Sequence, residues 1–158
     1  MKRNGYIPLL VFLFLSFLAG GIGSRFTAHS VRTWYQILDK PPFNPPSWLF
    51  GPVWTVLYIL IAVSGWIIWK NRQNPNSQKL LYLFGFQLFL NALWTIIFFG
   101  AHQMGWAFLD IMILTIAVGT YTLFARNVSI AASFLFVPYW LWLLFAGYLN
   151  LFIWLMNR

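Results

Sequence analysis

The sequence predicts an all-α membrane protein, a bundle of five transmembrane helices with a long ordered first loop. Composition is the first reason: 61% of the 158 residues are hydrophobic, 8% are charged and the mean hydropathy is +0.73, too much apolar surface for a water-soluble domain of this length to hide. The second is spacing, because five apolar runs, each near the roughly 20 residues that cross about 30 Å of hydrocarbon, are separated by short polar breaks. The third is charge. The net charge of +8 arises from a near absence of acids, since Asp39 and Asp110 are the whole acidic inventory. The bases sit scattered at segment ends, as topology signals do, and not on one face, as nucleic-acid binding requires. The chain has no cysteine, which removes disulfide, iron–sulfur and thiolate–zinc chemistry.

The chain reads as a single domain, 1–158. The first span covers about 6–26, after Lys2 and Arg3; it has the outline of a secretory signal, but it is long enough to span and further spans follow. Its small residues, Ala19 with Gly23 and Gly20 with Ser24, have the spacing at which two helices approach closely. Next comes a long loop to Ser47, dense in proline from Lys40 to Pro46, which predicts a stiff, extended lid because proline fixes its own φ and restricts its predecessor. Ser47 reads as the N-cap of the second span, about 46–70, with Pro52 in its first turns where a missing N–H costs least. That span stops at Lys70-Asn71-Arg72, with Asn74-Pro75-Asn76 as the turn. The third span covers about 79–100 and the fourth about 105–125. The fifth, about 129–155, contains Pro138, where a kink is expected. Lys2, Arg3, Lys70, Arg72, Lys79 and Arg126 then share one side, against Arg25, Arg32, Lys40 and Arg158 on the other, which favours a cytoplasmic N-terminus.

Enzyme constellations fail by absence. His29 and His102 lie in or near loops without further ligands for a metal, and neither has an acid nearby in sequence to orient it as a base. Asp110 lies at membrane depth, where a carboxyl marks either a proton or cation function or an acid held by the helix dipole and hydrogen-bonded neighbours in the first turns of its helix. Asn91 has two readings as well, a bridge between helices or a hydrogen bond to a ligand. Among the ten tryptophans, Trp34, Trp48, Trp69, Trp106 and Trp154 fit interfacial belts. Trp54, Trp94 and Trp142 lie deeper. Trp54 with Tyr58, Asn91 with Trp94, and Trp142 with Ala146 have helical spacing, so each pair shares a face. Turned inward they would line one aromatic pocket for a flat, apolar, polycyclic ligand, with Arg25, Arg32 or Lys40 at its mouth for peripheral carboxylates. The alternative is aromatic packing alone.

Trp34-Tyr35, Lys40-Pro41-Pro42-Phe43, Pro45-Pro46, Trp48, Phe50-Gly51-Pro52-Val53-Trp54 and Tyr58 resemble the signature of the translocator protein family, the tryptophan-rich sensory proteins or peripheral benzodiazepine receptors. Asn91-Ala92-Leu93-Trp94, Phe98-Phe99-Gly100, Gly105-Trp106-Ala107 with Asp110, and Pro138-Tyr139 with Trp142, Phe145, Leu149 and Asn150 extend the match over nearly the whole chain. The resemblance implies a bacterial cell-membrane protein, commonly a homodimer, that binds protoporphyrin IX, haem and synthetic benzodiazepine-site ligands through Tyr35, Pro45, Trp54, Tyr58, Asn91, Trp94, Trp142 and Ala146. It further implies light- and oxygen-dependent degradation of protoporphyrin without metal or resident cofactor, with Trp54 and Trp142 as the reacting indoles. Transport of porphyrins or other lipophiles, or ligand-dependent stress regulation of membrane partners, are the alternatives. Cholesterol binding is not expected, because Leu151 and Phe152 follow Asn150 and Arg158 lies too far from Tyr148 for the terminal sterol pattern of the animal members. The same loose pattern occurs at Val31-Tyr35-Lys40 and at Val118-Tyr121-Arg126, which shows how little it discriminates.

Overall fold

A computed structural model describes residues 6–158; Lys2 and Arg3 of the charge count lie outside the described residues. The elements in order are α1 (Ile7–Ser30), the single turn α2 (Trp34–Ile37), α3 (Ser47–Lys70), α4 (Pro75–Thr95) continued by a π-helical segment (Ile96–Gly100), α5 (Met104–Ala125) and α6 (Ile130–Met156). All but α2 are long and apolar enough to cross a membrane, with the π segment counted in the span of α4. The protein is therefore an integral multi-pass membrane protein.

Local chemistry explains where the boundaries depart from expectation. The first span continues to Ser30 because its hydroxyls join the helix instead of ending it: Ser24 Oγ donates to the Gly21 carbonyl at 2.8 Å and Thr27 Oγ1 to that of Gly23 at 3.0 Å. Asn74-Pro75-Asn76 is a helix start, not a turn. The Asn74 side chain accepts from the Asn76 N–H at 3.0 Å, and Pro75 at the first position has no N–H to leave bare. Pro46, not Ser47, occupies the cap of α3, with no side-chain capping bond among the described residues. Pro52 is the sixth residue of that helix (47 to 52), past the free donors of the first turn, so it costs α3 one bond to the Trp48 carbonyl. Helix α6 is capped by Ser129 and runs unbroken through Pro138.

The spans close a ring in the order α1, α3, α6, α5, α4, and back to α1. Their outward faces are apolar too: Phe14, Phe89, Ile116 and Phe134 are all exposed, as contact with lipid requires. The half of the bundle away from the long loop is filled. There Tyr121 stacks on Phe136 at 4.0 Å and Phe12 meets Phe84 edge-on at 5.2 Å. Ser64 Oγ donates to the Ala132 carbonyl across α3 and α6 at 2.7 Å. The half beneath the loop is hollow.

The lid is folded down, not extended. Asn44 N–H donates to the Pro41 carbonyl at 3.3 Å, and Phe43 closes the turn in the left-handed region with φ 69°. The lid is tied at three places. The Tyr35 phenol donates to Asn44 Oδ1 at 2.9 Å, Tyr148 donates to the Pro42 carbonyl at 3.3 Å, and the Asn157 amide both accepts from Asp39 N and donates to Asp39 O, at 3.0 and 2.9 Å.

Candidate functional site

Beneath the lid lies a cavity of about 540 Å³ walled by α1, α3, the end of α4 with its π segment, and α6, and roofed by Val31, Arg32 and Tyr35. Small residues on α1 let that wall close against its neighbours. Gly20, Gly23 and Thr27 recur at helical spacing, and a Cβ on Gly20 would overlap the Tyr58 ring while one on Gly23 would come within 2.9 Å of Thr95.

Trp54, Trp94 and Trp142 all line this one hollow, from three different helices. Each indole is fixed. Trp54 stacks on Tyr58, with ring centroids 5.3 Å apart, and meets Tyr139 edge-on at 6.1 Å. Trp94 donates its N–H to Asn150 Oδ1 at 2.9 Å, and Asn150 in turn donates to the Met104 carbonyl at the start of α5. Trp142 is held edge-on by Phe50 at 6.1 Å. Tyr35, Tyr58 and Ala146 also line the cavity, whereas Pro45 and Asn91 are not among the lining residues. Pro45 is buried in the folded lid.

Asn91 stands behind the wall as a bridge: Tyr58 donates to its Oδ1 at 2.8 Å, and its Nδ2 donates to the Tyr139 hydroxyl at 3.1 Å, which in turn donates to Gln87 Oε1 at 3.0 Å. The Tyr58 hydroxyl is committed as a donor to Asn91, so only its lone pairs are left for any further partner. Tyr35 is committed to Asn44 in the same way, and burial raises its phenol above its ordinary pKa with partial relief from that bond.

Arg32 is the cation in the lining. Lys40 is drawn into the lid instead, donating to the carbonyls of Gln36 and Leu38 and lying 5.0 Å over the Tyr35 ring; Arg25 is exposed and does not line the cavity. Trp34 is half-buried. It stacks on His102 at 4.1 Å, whose backbone is in the left-handed region. Asp110, in the second turn of α5, is buried and does not line the cavity, with Oδ2 lacking a hydrogen-bond partner among the described residues. The bonds to neighbours expected for it are therefore missing on that oxygen.

Sequence reasoning missed Phe98 and Phe99. The wider π turn brings both of them, along with Trp94 and Thr95, to one wall, and Trp94 and Phe98 stack at 5.1 Å. It also missed Phe17; the small residues of α1 were read as a close-packing face, which Gly20 against Tyr58 and Gly23 against Thr95 match, but not as part of a cavity lining.

The geometry is that of a binding site for a small molecule. Its volume falls within the roughly 300–1,000 Å³ usual for such sites, its walls are aromatic, and a few polar groups fix orientation. Among the described residues the lining holds no carboxylate and no histidine.

Comparison with known proteins agrees with this architecture. The family model described as TspO/MBR family matches residues 12–155. The chain is 46% identical over 149 residues to a tryptophan-rich protein TspO of Archaeoglobus fulgidus, covering 94% of this chain and 96% of that one. It is 37% identical to a translocator protein of Bos taurus, over 97% of this chain and 92% of the relative. Against a tryptophan-rich sensory protein of Cereibacter sphaeroides the identity is 34%, over 87% of each. With a model match over nearly its whole length and relatives this similar at full coverage, the chain belongs to the TspO/MBR family.

Proposed function

We propose that the protein is a membrane receptor that binds tetrapyrroles, protoporphyrin IX first among them, and drug ligands of the benzodiazepine-site type beneath the lid, and that it promotes light- and oxygen-dependent degradation of bound protoporphyrin. The observation that carries this reading is the convergence of Trp54, Trp94 and Trp142 on one lidded cavity of about 540 Å³. A flat macrocycle is matched by stacked aromatic walls, its pyrrole N–H groups by the acceptor lone pair of Tyr58, and its carboxylates by Arg32 at the rim. The photochemistry follows from the same contacts. An excited porphyrin beside an indole takes one electron, leaving a tryptophan radical cation and a porphyrin radical anion. Dioxygen then takes that electron and becomes superoxide, the tryptophan radical cation is reduced by an electron from the ground-state macrocycle, and the porphyrin radical cation so formed combines with superoxide, which opens the ring with the indole restored.

Tryptophan quenching by protoporphyrin should saturate, and illumination in air should bleach the bound porphyrin. A Trp54→Phe, Trp142→Phe double variant keeps aromatic walls but removes the two indoles proposed to react, leaving Trp94 bonded to Asn150, so it should bind within about threefold of wild type and bleach at least tenfold more slowly. Equal bleaching in the variant overturns the photochemical part; quenching that never saturates overturns the binding part.

A further inference from the structure

We propose that the cavity is loaded sideways from the hydrocarbon, through a slot between α1 and α3, and that its occupant therefore arrives dissolved in the bilayer. This rests on reading the cavity as a ligand site. Every exposed cavity-lining residue lies on α1, lies on α3, or is Arg32 just past the end of α1; those from α4, the π segment and α6 are buried or half-buried. The opening is thus confined to one seam. The two helices touch where Gly20 meets the Tyr58 ring and Phe17 lies 5.9 Å from it. Toward the lid they part: Gly21 and Gly51 both line the cavity and are exposed, and a Cβ on either would meet nothing within 4 Å.

Depth makes this a route from lipid. Thr55, at the lower lip, is eight residues below the start of α3 at Ser47, about 12 Å along a helix at 1.5 Å per residue, which lies within the hydrocarbon. The chemistry of the slot agrees. Ser24, Thr27 and Thr55 each donate their hydroxyl to a carbonyl of their own helix, at 2.8, 3.0 and 2.9 Å, so an apolar molecule passes without stripping free donors. An amphipathic occupant would keep its carboxylates near the headgroups, where Arg32 waits. On the aqueous side the roof is closed at Tyr35, only 4% exposed beneath the lid, and the lid is tied to Tyr148 of α6 and to Asn157 at its C-cap.

The test uses the full-length protein in liposomes with a bilayer-dissolved aryl diazirine, which on illumination labels side chains that the probe reaches. Phe98 is 2% exposed but lines the cavity, whereas Phe89 is 61% exposed to lipid on the same helix. Wild type should label at both. A Gly21→Leu, Gly51→Leu variant should label at least fivefold less at Phe98 and equally at Phe89, and Gly85→Leu, at another open glycine, should behave as wild type. Absence of label at Phe98 in wild type, or undiminished label in the double variant, overturns the slot. Stopped-flow quenching by protoporphyrin supplies the second arm: association should slow by at least tenfold in the double variant. Asn157→Ala, which loosens the lid, should leave association within twofold, and a clear acceleration there would establish loading from water instead. If Phe98 labels as expected but protoporphyrin never quenches, the slot stands and the tetrapyrrole reading falls.

Discussion

Tyr58 shows how much one side chain is asked to do. It walls the cavity, stacks on Trp54, blocks any Cβ on Gly20 and donates to Asn91. Asn91 was legible only as a polar group at membrane depth, because sequence spacing cannot say whether an amide meets a ligand or a neighbouring helix. Replacing Asn91 with Leu leaves the Tyr58 hydroxyl without its acceptor and Tyr139 without its donor. At about 1–3 kcal/mol for a buried group left unsatisfied, the variant should be roughly 2 kcal/mol less stable, read as a lower unfolding temperature in detergent. Adjacent glycines on α1 give a sharper contrast. Gly20→Ala pushes a methyl into a ring already pinned on its other face, which should cost about 1–3 kcal/mol. Gly21→Ala has open space and gains helix propensity, so it should be neutral or stabilise by up to about 1 kcal/mol. Equal effects at the two positions would mean that α1 does not pack on Tyr58 as described.

Elements divide by length in how legible they were. Each of the five spans announces itself because a membrane helix must be long and apolar, and their ends moved only where a cap or hydroxyl decided the matter, as at Asn74 and Ser30. The single turn α2 and the π segment had no such signal. One turn has too few residues for a period, and a π turn differs from an α turn in hydrogen-bond partner, not in composition. The lid was legible as stiff, since proline restricts φ, but its left-handed turn at Phe43, closed by the local Asn44 to Pro41 bond, is not announced by composition, and its tie to Asn157 comes from a contact more than a hundred residues away. That tie can be measured. Asn157→Ala removes two hydrogen bonds to Asp39, at about 1 kcal/mol or less each for partly exposed groups, so amide exchange over 39–44 should quicken about fivefold while exchange in α3 is unchanged. Unaltered exchange in the loop would show that the prolines alone hold the lid.

At the scale of the whole molecule, helices apolar on every face leave no stripe to reveal which neighbours they choose, so the ring order and the hollow on one side of it could not be read from pattern. The hollow depends on small residues of α1 meeting large ones from three other spans. Orientation in the bilayer is a different kind of quantity, because it depends on charge counted by side and not on packing. On the lid side stand Arg25, Arg32, Lys40 and Arg158; on the far side the described bases are Lys70, Arg72, Lys79 and Arg126, with Lys70 and Arg72 lying over Trp66 and Trp69 at 4.6 and 4.2 Å. Four face four, so Lys2 and Arg3 tip the balance, and we propose that they hold the N-terminus in the cytoplasm and the lid outside. The chain has no cysteine, which makes single-cysteine labelling clean. With a membrane-impermeant maleimide on intact cells, Phe43→Cys, at an 87% exposed position on the lid, should react at once, and Gln73→Cys, in the α3–α4 turn, only after permeabilisation. Adding Lys2→Gln and Arg3→Gln should let both positions react in part, as the two orientations become comparable. If that change leaves the labelling pattern intact, orientation is set elsewhere, and the aromatic-anchored bases at the foot of α3 become the next residues to neutralise.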